Sequence, residues 1–175
     1  MISDKIKKTV RDIPDFPKPG IIFKDITPLL IDFKLREELI DAFAEKLKRL
    51  KIDALIGVES RGFLFGIPLA DRLEIPFVPV RKAGKLPYST YKVSYDLEYG
   101  QAEVEVHSDA IHKGSRVFIH DDLLATGGTA GAAAQLVNKM GAEVAGFGFI
   151  IELSFLKGRE NLLQYSHNII SLATY

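Results

Sequence analysis

The sequence predicts an α/β protein built on a mainly parallel, twisted sheet with helices on its faces. Three observations carry that expectation. Short apolar runs alternate along the chain with longer stretches of helical periodicity. Three loops suited to anions, 59–62, 81–87 and 125–129, each directly follow one of the short runs. In a parallel sheet joined by right-handed crossovers, such loops gather at one edge, where ligands bind. A length of 175 residues suits a single domain over 1–175, and 47% hydrophobic with 26% charged residues is an ordinary globular composition.

Taken in order, Ser3 reads as the cap of a first helix with Ile6, Val10 and Ile13 on one face, stopped by Pro14. The segment DFPKPGIIFKDITPLL follows, proline-punctuated yet too apolar for an idle linker. Phe23 within it reads either as an aromatic tucked into the core or as one wall of a pocket for a flat ligand. A long amphipathic helix runs from Lys34 to Lys51, with Leu35, Leu39, Phe43, Leu47 and Leu50 on its buried stripe. Ala54–Val58 is a strand, and a helical stretch, Phe63–Leu73, comes after Glu59-Ser60-Arg61-Gly62. Arg61 near a helix start is in a poor place for a cation, which favours a bound anion there.

Pro76–Val80 is the third strand, and it empties into Arg81-Lys82-Ala83-Gly84-Lys85. Those cations around a glycine suit a polyphosphate, although a solvated basic loop reads the same way. Tyr88–Gly100 is rich in tyrosine, and Ala102–Val106 alternates small or apolar with acidic residues, as an edge-like strand does. The polar turn between them reads as a mobile flap. Strands at 117–120 and 144–151 flank a helix over Ala130–Met140, and a charged turn, 156–160, precedes a last strand around Ile169–Leu172.

The stretch VFIHDDLLATGGTA, residues 117–130, is the richest in chemistry. A strand, a turn of small hydroxyl-bearing residues and a helix N-terminus form an anion cradle. The first helical N–H groups are unpaired, and the helix dipole favours negative charge beside them. Gly127 and Gly128 allow a phosphate to approach the backbone, and Thr126 and Thr129 add donors. Asp121 and Asp122 suit the hydroxyls of a sugar attached to that phosphate. A Walker loop is excluded because no lysine follows the glycines, and the glycine spacing does not match a dinucleotide fingerprint. A glycine-rich turn without any ligand is the alternative.

Zero net charge argues against wholesale nucleic-acid or membrane-surface binding, and the lack of cysteine excludes disulfides and thiolate metal sites. MISDKIKKTVRDI lacks the apolar core of a signal peptide and no run reaches membrane-spanning length, so the expected location is cytoplasmic. His107, His112 and His167 form no metal-binding spacing, and His120 reads as a satisfied structural histidine within its strand.

The acid pair followed by Thr-Gly-Gly-Thr resembles the phosphoribosyl-pyrophosphate motif of the type I phosphoribosyltransferases. FPKPGIIFKDITPLL, ESRGF, VRKAGKLP, YDLEYG, DDLLATGGT and ELSFLKGRE stand in the order found in the adenine phosphoribosyltransferases, from Ile13 to Glu160. The resemblance implies the fold of that family, with a flexible flap and an N-terminal hood, about residues 1–33, that binds the base. It also implies transfer of a phosphoribosyl group from 5-phosphoribosyl-1-pyrophosphate to adenine with Mg2+, giving AMP and pyrophosphate.

On that resemblance, Ala125, Thr126, Gly127, Gly128 and Thr129 would hold the ribose phosphate, and Asp121 and Asp122 the ribose hydroxyls. Arg61 would face pyrophosphate, with Arg81, Lys82 and Lys85 reaching it from the facing subunit of a homodimer. Phe23 and Leu153 would sandwich the adenine ring, while backbone groups at Ile22 and Lys24 read its edge. Glu98, with Tyr99 beside it, matches the carboxylate that handles the proton at the base. Mg2+ would be held mainly by substrate and water, without a protein cage. Lys24 stands where the family usually has arginine, and His120 where it usually has an aliphatic residue. Two rival readings are a 6-oxopurine phosphoribosyltransferase, opposed by FPKPGIIF, and a non-catalytic purine-sensing regulator. The regulator would be expected to carry a nucleic-acid-binding element or a basic face, and neither is evident here.

Overall fold

The structure, a computed structural model, describes residues 1–96 and 101–175. Its chain begins with α1 (Ile2–Thr9), the hairpin β1 (Arg11–Pro14) and β2 (Ile22–Asp25), then α2 (Thr27–Ile31) and α3 (Phe33–Leu47). Next come β3 (Ala54–Val58), α4 (Arg61–Leu73), β4 (Phe77–Lys82), β5 (Thr90–Asp96) and β6 (Gln101–His107). The last elements are β7 (Arg116–Leu124), α5 (Gly128–Lys139), β8 (Glu143–Glu152), a 3₁₀ turn (Ser154–Leu156), α6 (Gly158–Leu162) and β9 (Ile169–Thr174). Among the described residues no helix is long and apolar enough to cross a membrane.

The main sheet runs in the order β5-β6-β4-β3-β7-β8-β9. The pairs β3–β4, β3–β7, β7–β8 and β8–β9 are parallel, and only β5–β6 and β6–β4 are antiparallel. Alternation along the strands splits the interior into two cores. Val117 and Ile119 of β7 face the layer that includes Ala133, Leu136 and Val137 of α5. Phe118, between them, faces the other layer with Leu39 and Phe43 of α3 and Phe65 and Leu69 of α4. The chain leaves β3 towards β4 on one side and continues at β7 on the other. The crevice beyond the ends of β3 and β7 is therefore the switch point at which such sheets bind ligands.

Several expected boundaries move, each for a local reason. The first helix stops at Thr9, because Val10 turns to φ −59°, ψ 134°, and Ser3 lies inside the helix instead of capping it. Ile13 belongs to β1, where the following proline disfavours helix, and it pairs with Phe23. The long helix begins at Phe33, with the Asp32 carboxylate accepting from the Leu35 N–H at 3.0 Å, and ends at Leu47. Beyond it, Asp53 and Arg116 exchange hydrogen bonds of 2.7 and 2.8 Å that align β3 with β7. The strand expected to be edge-like, β6, is internal, and β5 is the edge. The strand expected over 117–120 continues through both acids to Leu124, since β8 pairs with it as far as Glu152.

Candidate active site

Three hollows lie side by side at the ends of β3 and β7. The smallest, about 70 Å³, is lined by residues 123–130 with Asp121 and Phe149. It is space that several waters, or one phosphate group, would fill. Gly127 enters α5 with φ 83°, a conformation glycine adopts without strain, and the first helical bond runs from Gly131 N–H to the Gly127 carbonyl. The N–H groups of 128–130 have no partner inside the helix. Ala125, Thr126, Gly127, Gly128 and Thr129 all line this one hollow.

The second hollow, about 410 Å³, is bounded by Arg61, Lys82, Asp121, Asp122 and Thr129, with Glu59, Ser60 and Tyr95 completing the wall. Asp122 is buried, and its Oδ2 lies 3.1 Å from Arg61 Nε, a charge contact without the alignment of a hydrogen bond. Asp121 accepts the Asp122 N–H at 2.8 Å. Burial, and then the neighbouring charge of Asp122, hold the Asp121 carboxyl well above the usual carboxylate range. Burial also raises Asp122, against the pull of Arg61. α4 approaches this pair closely because residue 62 is glycine: a Cβ there would stand 2.8 Å from the His120 carbonyl oxygen. Tyr95, from the β5–β6 hairpin, reaches across to accept from the Thr129 hydroxyl at 3.3 Å.

The third hollow, about 440 Å³, lies under the β1–β2 hairpin and is bounded mainly by apolar side chains, including Ile13, Phe16, Phe23, Leu30 and Leu64. Phe16 and Phe23 meet edge to face at 5.2 Å. Arg61 belongs to this hollow and to the second, with its guanidinium carbon 5.4 Å from the Phe23 ring centre. Phe23 is therefore a wall residue, not one tucked into a core. Lys24 sends its ammonium the other way, 2.7 Å from Asp12 and 4.1 Å from the ring centre of Tyr175. The Ile21 carbonyl accepts from Phe16 N–H at 3.3 Å. Because a trans peptide points C=O and N–H in opposite directions, the Ile22 N–H faces away from β1. Lys24, two residues on in the same strand, turns its backbone groups to that side as well.

Not every expected residue reaches these hollows. Leu153 follows β8, donates its N–H to the Leu124 carbonyl at 2.9 Å and packs on the α3–α4 core, outside the lining of the hollow that holds Phe23. Arg81 is bound at both ends of its guanidinium to Glu59, at 3.1 and 3.3 Å. Lys82 lines the hollow of its own chain, so a facing subunit is not needed to bring it there. The basic loop is shaped by two acids. Glu59 also accepts the Lys82 N–H at 2.8 Å, and Glu105 accepts the N–H groups of Lys85 and Leu86, each at 2.9 Å. Burial would raise both carboxyls, but these hydrogen bonds outweigh it and hold them below their usual values. Glu98 and Tyr99 lie outside the described residues.

His120 corrects one expectation. It is buried, edge-on to Phe43 at 5.4 Å, and neither ring nitrogen has a hydrogen-bond partner. Burial lowers its pKa to about 4, outweighing a weak favourable influence of the Gly148 backbone, so the ring is neutral. Glu59, Tyr95 and Phe16 also border these hollows without a mark in the sequence. Glu59 adjoins the Arg61 loop and Phe16 opens FPKPG, but neither carries a spacing that marks its role. Among the described residues no group of three or more His, Asp or Glu side chains is placed to hold a metal.

Comparison with known proteins agrees with this geometry. The phosphoribosyl transferase domain model matches residues 31–167. An adenine phosphoribosyltransferase of Cytophaga hutchinsonii is 50% identical over 175 residues, 100% of this chain and 97% of the relative. The adenine phosphoribosyltransferase structure from Thermoanaerobacter pseudethanolicus superposes with a TM-score of 0.95 at 50% identity, covering 100% of both chains. That from Saccharomyces cerevisiae, complexed with an imino-altritol bisphosphate and adenine, gives 0.91 at 43% identity, covering 98% of each.

Proposed function

Since the chain belongs to the phosphoribosyl transferase family, among its adenine phosphoribosyltransferases, we propose an assignment of the steps of that reaction to its residues. The protein transfers the phosphoribosyl group of 5-phosphoribosyl-1-pyrophosphate to adenine, giving AMP and pyrophosphate in purine salvage. The observation that carries the assignment is Arg61, which borders both the acid-lined hollow and the aromatic one. The two substrates then meet at that residue.

The 5-phosphate sits on the backbone of Ala125–Thr129, where unpaired N–H groups and the α5 dipole favour it. Asp121 and Asp122 hold the ribose hydroxyls. Arg61 turns from Asp122 to the pyrophosphate, and Lys82 adds charge from its own chain. Arg81 and Lys85, which do not line the hollow, act from the facing subunit of a homodimer. The apolar Leu64 and Ile67, three residues apart and both exposed on α4, support a partner surface. Adenine stacks on Phe23, with Leu153 moving in from the end of β8 to close the other side. The Ile22 N–H and a Lys24 backbone group read its edge. The segment 1–33 is then a base-binding hood of one domain; the turn expected to act as a flap, at 97–100, lies outside the described residues.

A ring nitrogen of adenine attacks the anomeric carbon, the bond to pyrophosphate breaks, and the nitrogen's proton passes to Glu98, with Tyr99 beside it. Charge of oxocarbenium type develops on the sugar, so positioning and electrostatics supply most of the rate. Mg2+ would be held mainly by the substrate phosphates, ribose hydroxyls and water, as that ion commonly is, beside the Asp121 and Asp122 carboxylates that border the same hollow. When bound, it neutralises charge on the departing pyrophosphate. The proposed location is the cytoplasm. A complex with AMP tests the assignment: phosphate oxygens away from Ala125–Thr129 would refute it.

A further inference from the structure

The phosphate cradle is held from behind by α6, which contributes nothing to the hollow itself. Asn161, an exposed residue of α6, donates its side-chain amide to the Thr126 carbonyl at 2.8 Å. The peptide joining Thr126 to Gly127 is planar and trans, so its carbonyl and its N–H point in opposite directions. A carbonyl drawn back towards α6 turns the Gly127 N–H away from α6, and Gly127 is among the residues that line the 123–130 hollow.

α6 is itself fixed against the loop. A Cβ on Gly127 would lie 2.8 Å from the Gly158 carbonyl oxygen, and one on Gly158 would fall inside the Ala125 carbonyl oxygen. The two backbones therefore touch with no side chain between them. Arg159 holds this contact in place. Its guanidinium binds the buried Glu152 carboxylate at 3.0 and 2.6 Å and the Ile169 carbonyl at 2.9 Å. A chain of contacts thus runs from the end of β8 through Arg159 and α6 to one peptide of the cradle.

We propose that Asn161 is a positioning residue for phosphoribosyl binding, orienting the Thr126–Gly127 peptide so that its N–H meets the 5-phosphate. The inference rests on the functional reading above and adds to it a residue outside every hollow that reading uses. Asn161 touches no substrate. It spares the loop the cost of turning that peptide when ligand arrives, the kind of preorganisation that strengthens binding without a new contact.

The test uses the whole protein with ribose 5-phosphate and adenine as separate probes. Their Kd values are measured by calorimetry, and the Gly127 amide is followed by 15N–1H NMR. Loss of one neutral hydrogen bond predicts that Asn161→Ala weakens ribose 5-phosphate binding, and raises KM for 5-phosphoribosyl-1-pyrophosphate, by about 3- to 10-fold. Asn161→Asp, which presents an acceptor to a carbonyl and adds negative charge, should weaken both further. Adenine binding, kcat and Tm should stay at wild-type values. Unchanged ribose 5-phosphate affinity in both variants, with the wild-type Gly127 amide still shifting on binding, would overturn the role of Asn161 alone. Equal weakening of adenine and ribose 5-phosphate with a lower Tm would also overturn it, in favour of general support. A wild-type Gly127 amide that ignores ribose 5-phosphate would overturn the site reading and this inference with it.

Discussion

The Nε of Arg61 stands 3.1 Å from a carboxylate oxygen of Asp122, an acid whose side chain is 3% exposed. The oxygen has no aligned hydrogen bond, so charge alone holds the pair. Such a contact yields to a better one. In the proposed assignment an incoming pyrophosphate would offer Arg61 bidentate oxygens, and the guanidinium would exchange one anion for another.

Arg61→Gln keeps a polar side chain of related length and removes the cation. A hydrogen bond to a charged group contributes about 1.5–3 kcal/mol, so KM for 5-phosphoribosyl-1-pyrophosphate should rise about 10- to 150-fold. Steady-state kinetics at saturating adenine measure this. An unchanged KM would mean that Arg61 does not meet the pyrophosphate.

Asp121 and Asp122 set the pH dependence. The Asp121 carboxyl is raised well above its unperturbed 3.8, first by burial and then by Asp122. A raised carboxyl adds stability below the unfolded pKa and loses it as pH rises through the folded one. Burial therefore opposes ionisation of both acids in the unliganded protein. Asp121→Asn keeps an acceptor for the Asp122 N–H and should raise Tm at pH 7. That advantage should shrink as pH falls towards 3.8, while turnover is lost. Calorimetry of both proteins across the acid range would expose a pH-independent difference, which contradicts the assignment.

Adjacent glycines should fail in different ways. Gly128 lies on the phosphate hollow, and Gly128→Val would fill the space of the phosphate, abolishing detectable turnover with Tm nearly unchanged. At Gly127 the φ is 83° and the Gly158 carbonyl leaves no room for a Cβ. Gly127→Ala should therefore lower Tm as well, since a strained residue costs about 1–3 kcal/mol. Equal Tm values for the two variants would contradict the geometry.

In the proposed mechanism Glu98 takes the proton of the base, and Glu98→Gln would preserve shape while removing that acceptor. A positioned proton-transfer group is worth roughly 10²–10⁴ in rate, so kcat should fall by about that factor. Wild-type single-turnover rates in the variant would remove Glu98 from the mechanism.

Local chemistry was legible in the sequence, and pairing across distance was not. The cradle at 125–129, the acids before it and Arg61 could be read because each follows a strand of recognisable composition. β1 and β2 could not, since four-residue strands in a proline-rich segment show no period and form only by pairing with each other. β6 was read as edge-like because it alternates with acids. Glu105, however, is 1% exposed and interior, its charge satisfied by the N–H groups of Lys85 and Leu86. Asn161 gave no signal, because an exposed asparagine looks the same whether or not its amide meets a distant carbonyl. Leu153 was placed on the base through resemblance, and the structure leaves it at the end of β8, against the core.

In the proposed reading, adenine is selected through the backbone of the 22–24 strand. Adenine offers a donor at its 6-amino group and an acceptor at N1, and hypoxanthine offers the reverse. One backbone C=O and one N–H suit the first pattern and oppose the second. Leaving each unpaired costs about 1–3 kcal/mol, about 2–6 kcal/mol for the pair, which predicts discrimination of roughly 30- to 10⁴-fold or more. The most direct measurement is pyrophosphate release from 5-phosphoribosyl-1-pyrophosphate and Mg2+ against adenine, hypoxanthine and guanine, in the wild type and two variants. Adenine should lead in kcat/KM by that margin. Ile22→Val should keep the preference, and one residue inserted after Gly20 should collapse it. Comparable kcat/KM for adenine and hypoxanthine in the wild type would contradict the account.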